Sequence, residues 1–124
     1  MEITFDTKPF EVNKQLFEDF FGMALPQFRI KTSEYHFGTI QGLYVPGDGD
    51  LEILSIVNLC PGNGIFEKFL DALEALAEKE CRRVRLISFF NMRLYHHIKK
   101  RGTWISTVGT ADDLVYTPKS LKNR

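Results

Sequence analysis

Hydrophobic and polar positions alternate along "ITFDT" (3–7), the pattern of a short strand. Pro9 and Glu11 suit the first turn of a helix, and Val12, Leu16, Phe17, Phe20 and Phe21 then recur at a spacing near 3.6, with Gly22 and Pro26 as the stop. "QFRIKTS" (27–33) and "YHFGTIQGLYV" (35–45) predict two strands, closed by the turn "PGDGD" (46–50). "LEILSIVNL" (51–59) is almost wholly aliphatic from Ile53 to Val57, as expected of a central strand buried on both faces. Beyond "PGNG" (61–64), a stripe of Phe66, Phe69, Leu70, Leu73, Leu76 and Ala77 predicts a helix to about Lys79, with Glu67, Lys68, Asp71, Glu74 and Glu78 on the solvated side. "RVRLISFF" (83–90) reads as a strand and "NMRLYHHIKKRG" (91–102) as a helix closed by Gly102. "WISTVG" (104–109) and "DLVYT" (113–117) read as a final strand pair, and "KSLKNR" (119–124) as a flexible basic tail.

The resulting order, β-α-β-β-β-α-β-α-β-β, predicts an α/β (α+β) fold: one mixed sheet covered by helices. The chain's 124 residues, 44% of them hydrophobic, match a single domain with its own core, expected over 1–118. Sixteen basic residues balance sixteen acidic ones, so no overall field favours nucleic acid, and a nucleic-acid partner is not expected. No apolar run is long enough to cross a bilayer, so no membrane partner is expected either. Cys60 and Cys81 lack a CxxC spacing and no signal segment opens the chain, which makes free thiols in a reducing cytoplasm the simplest expectation.

Chemistry gathers around residue 63. Gly62 and Gly64 end an apolar run and open the long helix, the arrangement that holds a phosphate on backbone N–H groups; a plain strand-to-helix turn uses the same residues. Cys60 stands at the mouth of this loop, either as a thiolate near a helix N-terminus or as a small buried filler. "HHIKKR" (96–101) concentrates positive charge, either to steer phosphates or as a solvated helix end. His36, Asp112 and Asp113 offer titratable groups, the two acids in a loop before the last strand. No spacing of His or Cys suggests a metal site.

Taken together, strand, "PGNG", long helix, strand, Asn91, helix and Gly102 resemble the GNAT acetyltransferase superfamily over roughly residues 50–108. The family's phosphate loop, Gln or Arg, two residues, Gly, one residue, Gly or Ala, falls on Pro61-Gly62-Asn63-Gly64-Ile65-Phe66. Asn91 and Gly102 keep the family's separation of eleven positions. Compact GNAT-like proteins of bacterial viruses are similar in this region. The resemblance implies a mixed, mostly antiparallel sheet, acetyl-CoA as co-substrate and an amine of unknown identity as acceptor. It implies cofactor contacts from Leu59, Pro61, Gly62, Asn63, Gly64, Ile65 and Asn91, with the thioester carbonyl near the backbone of Leu59 or Val57. Glu52, on the central strand, is the implied base acting through water. The family's general acid is a Tyr at the position of Ile98, so Tyr95 and His97 are the substitutes within one turn. Pro61, Phe66 and Ile98 depart from the family pattern, and the alternative reading they support is a GNAT-fold protein that has lost catalysis. Such a protein would bind an acyl-CoA, a protein partner or a second copy of itself.

Overall fold

A computed structural model of the chain describes residues 2–15, 19, 29–62, 64–87, 92–107 and 110–122. Among the described residues, nine strands form one sheet, and three helices accompany it besides the helical residues Lys14, Gln15 and Asp19. The strands are β1 (Thr4–Phe5), β2 (Phe10–Asn13), β3 (Arg29–Phe37), β4 (Ile40–Val45), β5 (Leu51–Ile53), β6 (Val57–Asn58), β7 (Val84–Leu86), β8 (Trp104–Thr107) and β9 (Thr110–Tyr116). The helices are α1 (Ile65–Glu80), α2 (Met92–Lys99) and α3 (Lys119–Lys122). The sheet runs β1-β3-β4-β5-β7-β9-β8, with β2 also on β3 and β6 also on β4. Only β5 and β7 pair in parallel; every other described pairing is antiparallel. The fold is therefore mixed α+β with a mostly antiparallel sheet.

Alternation sorts each strand into two faces. Tyr35, Phe37, Ile40, Tyr44, Leu51, Ile53, Val84, Leu86, Leu114, Tyr116 and Trp104 share one core cluster with Phe69, Leu70, Leu73 and Ala77 of α1 and Tyr95 and Ile98 of α2. Both helices thus cover the same face. Tyr35 stacks on Phe69 with ring centroids 5.6 Å apart, which ties the middle of the sheet to the middle of α1. The helix stops where Cys81 takes a left-handed conformation (φ 53°) and its N–H donates to Ala77 O.

Four expectations need correction. Phe10–Asn13 is not a helical turn but strand β2, paired with Arg29–Thr32, and Val12 is buried there; Lys14, Gln15 and Asp19 are helical, with Gln15 Nε2 donating to Asp19 Oδ1 at 2.9 Å. Leu16, Phe17, Phe20, Phe21, Gly22 and Pro26 lie outside the described residues. The β3–β4 hairpin turns at Gly38 (φ 57°) and Thr39, so β3 runs straight through Glu34, where the sequence reading broke it. Asp112 and Asp113 lie within β9, not in a loop before it. Residues 119–122 form a one-turn helix rather than a frayed tail, because Glu78 Oε1 accepts from the Lys119 N–H (2.8 Å) and from the Tyr116 hydroxyl (3.0 Å).

The supposedly solvated side of α1 is also engaged. Arg101, just beyond α2, donates to Glu67 Oε2 (2.7 Å), Asp71 Oδ1 (2.5 Å) and Glu74 Oε2 (2.9 Å), three carboxylates at one helical spacing. Trp104 Nε1 adds a bond to Glu74 Oε2 at 3.2 Å.

Candidate functional site

The expected central strand, 51–59, is broken by a β-bulge. Tyr44 opposes Ile53 while Gln41 opposes Val57, so the strand carries one residue more than β4 between those pairs. Leu43 O accepts from both Leu54 N–H (2.8 Å) and Ser55 N–H (3.3 Å), and the Ser55 hydroxyl accepts the Leu43 N–H (2.9 Å). The displaced Ser55 carbonyl takes the buried Tyr35 hydroxyl at 2.6 Å, and burial pushes that phenol above the ordinary tyrosine range. Gly42 is what leaves room: a Cβ there would lie 1.9 Å from Ser55 O and 2.6 Å from the Tyr35 hydroxyl oxygen.

The bulge follows directly on the last described contact with the parallel neighbour. Ile87 N–H donates to Ile53 O (3.0 Å), and beyond that bond β6 pairs with β4, while among the described residues nothing pairs with its other edge. Among the described residues the sheet is therefore open beyond the Ile53–Ile87 bond, toward the carboxyl ends of its two parallel strands, the location where open α/β sheets take ligands.

At this opening the side chain of Asn58 ends β6: its Oδ1 accepts from the Cys60 N–H (3.1 Å) and from Thr39 Oγ1 (3.1 Å), an Asx turn that swings the chain into the loop. Gly62 (φ 89°) and Gly64 (φ 78°) occupy left-handed backbone, and a Cβ at either would meet nothing within 4 Å. Gly64 caps α1 without a side-chain hydrogen bond, and Pro61, Gly62 and Gly64 are exposed. The described residues of the loop are exposed and lead into a 16-residue helix, whose N-terminal end carries the positive pole of its dipole. These features fit a phosphate; positive φ by itself also accounts for the glycines. Asn63 and Asn91 lie outside the described residues.

The remaining expected residues are scattered. Leu59 N–H donates to Thr39 O (2.9 Å), and by the alternation of an antiparallel ladder the backbone N–H and C=O of Asn58 point away from β4. Glu52 opposes Val45 and Val57 opposes Gln41, four residues apart on β4, which separates the two by about 13 Å. Tyr95 is buried, its hydroxyl bonded to Ser106 Oγ on β8, two strands or about 10 Å outboard of β7. His97 is exposed and its Nε2 pairs with Glu67 Oε1, while Phe66 packs between the rings of Phe69 (6.2 Å) and His97 (6.1 Å). Ile98 is wholly buried in the core. Asp113 sits 3.8 Å from Arg85, which also reaches Asp50 at 3.5 Å, and His36 stands exposed on β3. Cys60 is exposed, not a buried filler.

Among the described residues no group of His, Cys, Asp or Glu is placed to hold a metal ion, and no helix is long and apolar enough to cross a membrane. A cavity of 220 Å³ lies between Phe5, Leu51, Leu76 and Arg82, near the C-terminal end of α1 and roughly 20 Å from the loop. Compared with protein-family models, with curated proteins and with solved structures, the chain gives no match.

Sequence reasoning missed Tyr35, Gly42, Ser55 and Asn58. A signal for the first three was present: a lone glycine inside a strand pattern marks a bulge or a close backbone approach.

Proposed function

We propose that the chain is a GNAT-like N-acetyltransferase that binds acetyl-CoA at the opening between β6 and β7 and delivers its acetyl group to an amine. The observation that carries this reading is the bulge at Leu54–Ser55, which lies between the parallel pairing of β5 with β7 and the Gly62–Gly64 turn. The order of elements, with β5 and β6 counted as one bulged strand, supports the family resemblance. Acetyl-CoA, when bound, supplies an activated acyl group.

The chain's own residues do the rest. Backbone donors of the Gly62–Gly64 turn and the N-terminus of α1 hold the pyrophosphate, a contact that needs neither the family's Gln or Arg at Pro61 nor a small residue at Phe66. In this reading the backbone N–H of Asn58, which points away from β4, polarises the carbonyl. A neutral amine oriented against that carbonyl forms the C–N bond as the C–S bond breaks, CoA leaves as its thiolate, and the amine proton passes to that thiolate through solvent; orientation supplies much of the rate. The exposed free thiols of Cys60 and Cys81 fit a reducing compartment such as the cytoplasm.

A second reading is favoured by specific distances: Glu52 is about 13 Å along the sheet from Val57, and Tyr95 and His97 are held by Ser106 and Glu67. In that reading the site binds an acyl-CoA and does not turn it over. The two are separated by incubating the protein with acetyl-CoA and a panel of primary amines while following release of free thiol. Thiol release that depends on the amine supports transfer; saturable binding with no release supports the binding module. Gly62→Asp, which sets a carboxylate against the pyrophosphate, is expected to weaken binding at least tenfold, and an unchanged affinity would remove the loop from the site.

A further inference from the structure

We draw no further inference here: the strongest candidate, the exposed basic cluster of Arg93, His96, Lys99 and Lys100 along α2 and its end, lies beside the carboxylate row of Glu67, Asp71 and Glu74 on α1, and nothing in the structure shows what covers it.

Discussion

Gly42 has no side chain, and the central strand depends on that absence. Any Cβ there overlaps the Ser55 carbonyl, whose position is set by the bulge and by the Tyr35 hydroxyl. Gly42→Ala is therefore expected to destabilise the fold by about 3 kcal/mol, the upper range for forced overpacking, measured by urea unfolding. Tyr35→Phe leaves a buried carbonyl without its donor and is expected to cost about 1–3 kcal/mol in the same measurement. Tyr116 offers a pH test. Burial and the Glu78 carboxylate that its hydroxyl binds push its pKa up to about 12, from 10.0. Between these values the unfolded chain has lost a proton that the native state keeps, so stability falls as pH rises above 10 and is fully present below it. Tyr116→Phe is expected to make that alkaline decline shallower in pH-dependent thermal melts, with the part due to Tyr35 persisting.

At the scale of elements, α1 was legible and its outer face was not. The apolar stripe marks the helix because burial repeats at its own period, and Phe69, Leu70, Leu73 and Ala77 are indeed buried. The opposite row of carboxylates looks identical whether it meets water or a cation from a distant segment. Arg101 lies 27 residues beyond Glu74, and nothing local announces the pairing. Replacing Arg101 with Met leaves Glu67, Asp71 and Glu74 facing one another without their shared cation. A loss of about 2 kcal/mol is expected in urea unfolding, with Glu74→Gln recovering part of it in the Met background. The strand patterns show the same limit. Alternation identifies β3 and β4, yet the turn between them depends on Gly38, whose φ of 57° the flanking apolar residues do not reveal. Phe10–Asn13 carries both a helical start signal and a buried Val12, and pairing with Arg29–Thr32 decides in favour of the strand.

For the whole molecule, the mixed α+β class with a mostly antiparallel sheet was legible in the sequence because its strands and helices carry distinct periods, whereas strand β2 and the break between β5 and β6 were not. Nor was the geometry of the opening, because it is made by contacts between β3, β4 and the bulged strand. The glycine loop could be located from "PGNG", whereas Asn58 became visible only through its Asx turn and its pairing with Ile40 at the end of β6. Likewise Glu52, Tyr95 and His97 were chosen through the family resemblance, and the fold then set Glu52 on β5 and tied Tyr95 and His97 of α2 to Ser106 and Glu67. The most direct test of the account is isothermal titration of the purified chain with acetyl-CoA and with CoA. Saturable binding at micromolar concentration, weakened at least tenfold by Gly62→Asp, is the predicted result. No heat and no thermal shift at millimolar cofactor would contradict it and leave the Gly62–Gly64 turn a structural corner.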